Sequence, residues 1–338
     1  SNYNFILPEY HWNNRKLLYK DYQKLNKIYE VFLGSLSKRL NDIHSTNYDK
    51  EFWRIIIGHW LGYFIQIIYD RWTTINEVFN NYEIYDLFVL NKQLKDLIPL
   101  NYADFKEKYA TDEWNEQIYK DIILYKKFNV NVNELDSFSD EVHKRIINKS
   151  KIKELLKTFI KKIFIINTDI NVFFVETNMG WWEDFILQLK LGQIPRISSF
   201  PTLNLNKNNL DYENRNISLN INSDLKNFSF ESDFLNYICR TIPRFIPYFY
   251  LEGFKENLKF LETSKYISSL RPKFIFTSTG HFENESFKLW TALQQRSNAK
   301  LVIAQHGGFY GIGKYSFNEE HEKKISNFYL TYGWHEQN

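Results

Sequence analysis

The chain has 338 residues, of which 43% are hydrophobic and 25% charged, the composition of a soluble globular protein with room for two domains. Its formal net charge is only +3 and its acidic and basic residues are interspersed, which argues against a nucleic-acid-binding protein. The single cysteine, Cys239, excludes an internal disulfide and a cysteine-based zinc cluster, and it favours a reducing compartment.

The most apolar stretch, Phe52 to Tyr69, is interrupted by Arg54, His59 and Gln66. It is too short and too polar to span a bilayer, and no basic and apolar leader begins the sequence. We therefore expect a cytoplasmic protein. A peripheral contact with the inner face of the cytoplasmic membrane stays open.

The first part of the chain is predicted to be mainly helical. Apolar residues recur every three or four positions from Asn13 to Ile43, the pattern of an amphipathic helix. Glu51 to Trp72 is apolar on nearly all sides, which indicates a buried helix, and further helical patterns cover Tyr82 to Ile98 and Asp140 to Ile160. We expect residues 1–160 to form one mainly α-helical region.

After this region the pattern changes to short strands. Ile163–Ile166 and Val172–Val175 are rich in β-branched and aromatic residues, and Trp182 to Leu191 follows them as a helix. Between Ser198 and Asn227 the sequence predicts no element beyond an optional strand over Ile217–Ile221.

Phe234 to Lys265 is again helical in pattern. Pro243 and Pro247 are expected to end or kink the helix there, because proline lacks the N–H that a helix needs.

The last segment gives the clearest pattern. It contains predicted strands at Lys273–Thr277, Lys300–Gln305 and Phe328–Tyr332, with a helix over Glu283–Arg296 between the first two. A strand, a helix and a strand at this spacing predict a βαβ unit with parallel strands. Residues 161–338 are therefore expected to form a Rossmann-like α/β domain.

Two loops of this domain carry polar groups to one edge of the predicted sheet, where α/β proteins bind ligands. The candidate binding residues are Ser278, Thr279, Gly280, His281, Gln305, Gly307 and Gly308, with His306 as the candidate catalytic residue. Hydroxyls, amides and imidazoles together suit a phosphate, a carboxylate or a sugar. The alternative is that the glycines only make tight turns and the histidines only cap neighbouring elements.

Other candidates have equally simple alternatives. Lys314 is placed to reach a phosphate or to be a solvated surface residue. Glu283 is a candidate general base or merely a favourable charge at a helix start.

Glu176 and Asn178 follow a predicted strand and would share the cleft if the strands are neighbours. Trp181 and Trp182 either stack on a sugar ring or belong to the core, and the sequence does not choose between these.

Several classes are excluded by missing motifs. The chain lacks the P-loop order, a G-x-G-x-x-G that follows a strand, and the G-x-S-x-G elbow of hydrolases. His11, His44 and His59 lie in the helical part without carboxylates at ligand spacing, so we expect no metal. Asp70 and Arg71 are predicted to form an internal ion pair rather than a catalytic pair. No cofactor is expected.

The blocks "FWRIIIGHWLGYFIQIIYDRW", "LKLGQIP", "FTSTGHFENESFKLWTA" and "IAQHGGFYGIGKYSFNEEHEKKISNFYLTYGW" resemble a family of transferases encoded in bacterial O-antigen and surface-carbohydrate gene clusters. Gln305 to Gly308 match the family's Gln-His-Gly-Gly, and Gly280 and His281 match its Gly-His. The resemblance implies a metal-independent glycosyltransferase of GT-B-like build. This chain would supply one Rossmann-like half with a helical elaboration, and a second half is expected after Trp334. The only methionine is Met179, so the sequence begins without an initiator methionine, as expected for a piece of a longer protein.

The resemblance further implies a nucleotide-activated sugar donor and a glycan acceptor. CMP-linked ulosonic acids, such as Kdo or the nonulosonic acids, are the favoured donors. We expect His306 to stabilise the charge that develops on the phosphate leaving group, and Glu283 or Glu176 to take the proton of the acceptor hydroxyl. Two alternatives remain at this point: a CDP-polyol phosphotransferase, and a non-catalytic module of a polysaccharide-assembly complex.

Overall fold

A computed structural model describes residues 6–90, 92–135, 171–195, 200–203, 205, 207, 209–221 and 232–335. Three predictions lie outside these described residues: the helix over Asp140–Ile160, the strand over Ile163–Ile166 and the domain boundary near residue 160.

The described chain up to residue 135 is mainly helical. After a 3₁₀ turn at His11–Asn13, its elements are α1 (Arg15–His44), α2 (Lys50–Asn81), β1 (Asp86–Leu90), α3 (Leu94–Leu97), α4 (Tyr102–Lys108), α5 (Asp112–Lys126) and β2 (Asn131–Leu135). The Asn14 side chain caps α1, and the Asp49 side chain caps α2, each by accepting hydrogen bonds from backbone N–H groups of the first turn. Both long helices are confirmed, and α2 continues to Asn81.

The predicted helix over Tyr82–Ile98 is wrong. Its central part, Asp86–Leu90, is the strand β1, which pairs in parallel with β2, and among its described residues only the short α3 is helical. Gln117 of α5 donates a hydrogen bond to the Leu90 carbonyl at 2.6 Å, and the Glu116 carboxylate accepts the Leu90 N–H. The strand therefore depends on partners far along the chain, which a local periodicity does not reveal.

The second part of the described chain alternates strands and helices. Its elements are β3 (Val172–Val175), α6 (Trp181–Lys190), α7 (Tyr212–Asn216), α8 (Ser232–Phe245), α9 (Tyr248–Leu251), α10 (Phe254–Thr263), α11 (Lys265–Ser269), β4 (Phe274–Thr277), α12 (Gly280–Glu283), α13 (Glu285–Arg296), β5 (Lys300–Ala304), α14 (Phe317–Ile325) and β6 (Phe328–Leu330). Ile217–Ile221 is not a strand. Pro243 lies inside α8, two residues before its end, and Pro247 is the N-cap of α9.

Strands β3 to β6 form one sheet in the order β3-β4-β5-β6, and every neighbouring pair is parallel. The predicted βαβ unit is confirmed as β4, α13 and β5. The protein is therefore an α/β protein with parallel sheets and many helices, compatible with a Rossmann-like fold. Because the strands are parallel, the loops after all of them leave the sheet at one edge.

The chain forms two compact units, each built from three segments. One, called here the helical unit, comprises Ser1–Ser137, Leu205–Phe254 and Gly313–Asn318. The other, the sheet unit, comprises Phe138–Asn204, Lys255–Ile312 and Glu319–Asn338.

The helical unit has an aromatic core in which α1 packs on α2. The Phe317 ring lies so close to Gly62 that a Cβ at this glycine would be 1.8 Å from it. The same ring contacts Tyr29 edge-on, with ring centroids 5.3 Å apart. No helix among the described residues is both long and apolar enough to cross a membrane.

The sheet unit has its core on the strands and on α13. Phe173, Ile275 and Leu301 are buried, and Phe173 packs on Trp290 with ring centroids 5.1 Å apart. This packing holds the strand ends in place, and the candidate site lies beyond those ends.

Candidate functional site

The loop after β4 is fixed by its own polar side chains. The Thr277 hydroxyl accepts the Gly280 N–H at 2.9 Å, and the Ser278 hydroxyl donates to the Thr177 carbonyl at 2.7 Å. Ser278 is only 2% exposed. The Ser278 hydroxyl, predicted as a ligand donor, therefore serves to join two loops.

The loop after β3 has an unusual backbone. Glu176 and Asn178 both lie in the left-handed region, with φ of 48° and 57°. The Glu176 carbonyl accepts the backbone N–H groups of Ser278 and Thr279 at 3.0 and 3.1 Å, which holds this conformation. Residues other than glycine adopt such φ values at a cost, and they cluster at functional sites. Both side chains, Glu176 and Asn178, are exposed at the carboxyl edge of the sheet.

Gln305, the residue after β5, is buried and bonded at both ends of its amide. Its Nε2 donates to the Gly307 carbonyl at 2.7 Å, and its Oε1 accepts the Tyr332 N–H at 3.0 Å and the Trp334 indole N–H at 2.8 Å. This side chain was predicted to bind the donor; in the structure it joins the loops after β5 and β6 and so positions its neighbour His306.

His306 lies against a buried carboxylate that the sequence analysis did not single out. Its Nε2 is 3.0 Å from Oε1 of Glu322, a residue of α14, and 2.8 Å from the Tyr310 hydroxyl. The Glu322 side chain is fully buried, whereas that of His306 is 17% exposed. The histidine thus connects an internal charge to the surface at the carboxyl edge.

Three more side chains surround the Glu322 carboxylate. Oε1 also accepts the Tyr310 hydroxyl at 3.0 Å and lies 3.3 Å from Nε2 of the buried His281, and Oε2 accepts the Tyr329 hydroxyl at 3.2 Å. Burial alone would raise the pKa of Glu322, but the hydrogen bonds and charges of His281 and His306 outweigh it and hold this pKa at about 2. Burial and the Glu322 charge raise the pKa of Tyr329 above its ordinary value.

The charge state of Glu322 decides the tautomer of His306. An ionised carboxylate only accepts hydrogen bonds, so Nε2 of His306 carries the proton. Nδ1 then has no hydrogen-bond partner among the described residues. It is the ring nitrogen available to a ligand, either as a base or, once protonated, as a donor.

The glycines of the two loops differ in how much space a side chain would have at each position. A Cβ at Gly280 would lie 2.9 Å from Thr277 and Phe287 atoms, whereas one at Gly308 would meet nothing within 4 Å. Gly307 and Gly308 do not need positive φ, unlike Gly311 with φ of 77°. Close packing explains Gly280, and it does not explain Gly308.

The remaining predicted residues lie on other elements or loops than Glu322. Glu283 is exposed at the end of the four-residue α12. Lys314 belongs to the helical unit, where its ammonium lies 4.3 Å from the Tyr19 ring centroid. Trp181 is exposed at the start of α6.

Sequence reasoning missed Glu322, Tyr310 and Tyr329. Glu322 lies in the charged run Asn-Glu-Glu-His-Glu-Lys-Lys, which is typical of a solvated helix face. The available signal was Ile325, three residues further on the same helical face, which marks that face as buried.

The histidines of the helical unit have other partners. His44 Nε2 is 3.1 Å from the Tyr250 carbonyl, and His59 Nε2 is 2.7 Å from Asn318 Oδ1. His11 does have a carboxylate neighbour, contrary to expectation: its Nε2 is 3.6 Å from Oδ1 of Asp70, which also pairs with Arg71 as predicted. Among the described residues, no group of three or more His, Cys, Asp or Glu side chains could hold a metal ion.

The arrangement as a whole can handle charge and protons at one edge of the sheet. It offers an imidazole against a buried carboxylate, Glu322, whose pKa is lowered to about 2, and an exposed carboxylate, Glu176, on a fixed loop. No curated protein and no solved structure matches this chain significantly. A family model does match, over residues 1–338, and its description is LIC12162 family transferase. With the whole chain covered, the protein belongs to the LIC12162 family of transferases.

Proposed function

We propose that this transferase is a glycosyltransferase of bacterial surface-polysaccharide synthesis, which moves a sugar from a nucleotide-activated donor to a hydroxyl of a glycan acceptor. The observation that carries the proposal is the buried Glu322 carboxylate that holds His306 at the carboxyl edge of the sheet. Family membership supports transfer chemistry, and the resemblance of the Gln-His-Gly-Gly and Gly-His loops supports a sugar as the transferred group.

His306 acts on the leaving group in this proposal. The Glu322 carboxylate holds the imidazole through Nε2 at 3.0 Å, and Nδ1–H of the doubly protonated ring can donate to the phosphate oxygen that leaves the donor. Since Glu322, Tyr310 and Gln305 fix the surroundings of the ring beforehand, little reorganisation accompanies the reaction.

Glu176 is the proposed general base. It follows β3 whereas His306 follows β5, so two strand spacings, about 10 Å, separate their backbones. The bond between the anomeric carbon and the phosphate oxygen breaks, and a bond from that carbon to the acceptor oxygen forms. The acceptor proton passes to the Glu176 carboxylate, and the phosphate departs hydrogen-bonded to His306.

The test is nucleotide release from a panel of CMP-, UDP- and GDP-linked sugars, with and without glycan acceptors. We expect release from one nucleotide class, CMP-linked ulosonic acids being favoured. His306→Gln should lower kcat by about 10²-fold, the typical loss of one oxyanion-type donor. His335→Gln, which changes an exposed histidine, is the matched control and should keep full activity.

Equal activity of His306→Gln and the control would remove His306 from the mechanism. Release of nucleotide from none of the donors would overturn the glycosyltransferase proposal.

A phosphotransferase with a CDP-polyol donor would use the same loops, because both reactions place a phosphate beside the imidazole. A CDP-linked donor labelled at its β-phosphate separates the two reactions, whereas a CMP-linked sugar has a single phosphate and can undergo only the glycosyl transfer. The label stays with the nucleotide in glycosyl transfer and appears on the acceptor in phosphotransfer. The family's transferase description favours either enzyme over a non-catalytic assembly module.

A further inference from the structure

Two adjacent tryptophans at the carboxyl edge of the sheet are exposed. Trp181 is 72% exposed and Trp182 is 53% exposed, and they begin α6, with Trp181 six residues beyond the end of β3. The interpretation of this pair as core residues is therefore excluded. Large exposed aromatic rings beside a candidate site indicate contact with a ligand.

We propose that Trp181 and Trp182 form a platform that binds neutral sugar rings of the glycan acceptor. The proposal rests on the proposed function for the role of this glycan as acceptor. That the platform binds carbohydrate is inferred separately, from the exposure and stacking of the two tryptophans and from the polar side chains near them.

The platform is braced from within α6. Trp182 stacks on Phe185, with ring centroids 5.6 Å apart and planes 6° apart, and Trp181 contacts Trp182 edge-on at 5.3 Å. Rings supported in this way lose little conformational entropy when a ligand binds. The electron-rich face of an indole attracts the C–H groups on the face of a pyranose ring.

The exposed charged side chains closest in sequence to the platform are carboxylates. Glu176 and Glu183 are both exposed and seven positions apart, whereas Lys190 is at the far end of α6. The Glu183 carboxylate lies over the helix start, since a Cβ at Gly180 would be 2.0 Å from its Oε2. A phosphate or an anionic lipid headgroup would meet like charge here, whereas a neutral sugar would not.

The same surroundings supply what sugar hydroxyls need. The exposed Glu176 carboxylate accepts hydrogen bonds, and the exposed Asn178 amide both donates and accepts them. Both side chains are carried on the loop whose left-handed backbone is held by Ser278 and Thr279. A ring stacked on Trp181 would thus have polar partners at its rim, next to the proposed base.

The experiment is a glycan array that carries neutral and anionic oligosaccharides, probed with labelled protein, followed by titration of the best neutral binders. We expect binding of neutral glycans, with an affinity at least tenfold lower for Trp181→Ala and for Trp182→Ala. Tyr85→Ala, which removes an aromatic residue that is 68% exposed in the helical unit, is the matched control and should bind as the native protein does.

Three results would overturn the platform: no glycan bound, neutral glycans bound equally by the tryptophan variants, or a preference for anionic glycans. Vesicles of phosphatidylglycerol provide a further arm. If vesicle binding is lost in Trp181→Ala while no glycan binds, the pair is a membrane contact instead.

His306→Gln separates this inference from the proposed function. The variant should still bind neutral glycans while it loses nucleotide release. Glycan binding without any nucleotide release by the native protein would leave the platform intact and remove the glycosyltransferase proposal.

Discussion

Each of the two units holds a glutamate whose side chain is at most 9% exposed, and the two glutamates have different kinds of partner. In the helical unit, Glu252 pairs with the fully buried Arg215 through two hydrogen bonds of 2.7 Å, and another donor of Arg215 bonds the Ile246 carbonyl at 2.8 Å. In the sheet unit, Glu322 faces imidazoles and phenols. Arginine keeps its proton at any accessible pH, whereas histidine exchanges protons near neutrality. The first cluster is suited to joining helices, and the second to moving charge.

Removing the arginine should give the largest loss of stability. Arg215→Met leaves the Glu252 carboxylate, which is 9% exposed, without a cation and leaves backbone carbonyls near residue 246 without a donor. Breaking one side of a buried pair costs about 3–5 kcal/mol. Urea denaturation measures this free energy.

The control for this variant is Arg240→Met. Arg240 is 46% exposed and lies 3.6 Å from Asp121, and exposed pairs contribute about 0–1 kcal/mol. Equal losses of unfolding free energy in the two variants would show that the buried pair stabilises the protein no more than the exposed pair does.

Glu322→Gln should have the next largest effect and should change the acid dependence. The pKa of Glu322 is lowered from 4.5 to about 2 in the folded protein, which corresponds to about 3 kcal/mol. This contribution is complete above pH 4.5 and is lost as the pH falls towards 2. Denaturation at a series of pH values should therefore show a stability loss in that window for the native protein.

Glu322→Gln should lack that loss while it is less stable at pH 7. The exposed Glu213→Gln serves as its control and should keep the native pH profile. If Glu322→Gln kept the pH profile of the native protein, Glu322 would not be the carboxylate whose protonation causes the stability loss.

Tyr329→Phe should give the smallest effect. It removes one hydroxyl that donates to Glu322 Oε2 at 3.2 Å, worth about 1 kcal/mol. It should also move the acid transition to higher pH, because the carboxylate loses a donor. Tyr332→Phe, at a position that is 70% exposed, should change neither property; a shift of the same size there would remove the specific role of Tyr329.

The sequence predicted the elements whose pattern is local. The strands β3 to β6 and the helices α1 and α2 were found because their apolar periodicity is decided within each segment. β1 was missed because its partner β2 begins at Asn131, and only Val89 of β1 is fully buried. Pairing between distant segments leaves little trace in a short window.

The same difference between local patterns and distant contacts explains why only part of the site was predicted. His306 and His281 follow strands directly, so their place at the carboxyl edge follows from topology. Glu322 reaches them from α14, which begins 11 residues after His306, and its helix resembles a solvated one in sequence. The uses of Ser278 and Gln305 also depend on loops far along the chain, Thr177 and Trp334, which spacing alone does not bring together.

The segmented make-up of the helical unit affects how the chain can fold during synthesis. Its last segment, Gly313–Asn318, supplies Phe317 against Gly62 and Asn318 to His59. A nascent chain therefore contains α1 and α2 long before it contains the residues that fill the space between them and hydrogen-bond their buried histidine. This core is therefore complete only after residues 313–318 have been made, and shorter nascent chains expose aromatic surface of α1 and α2.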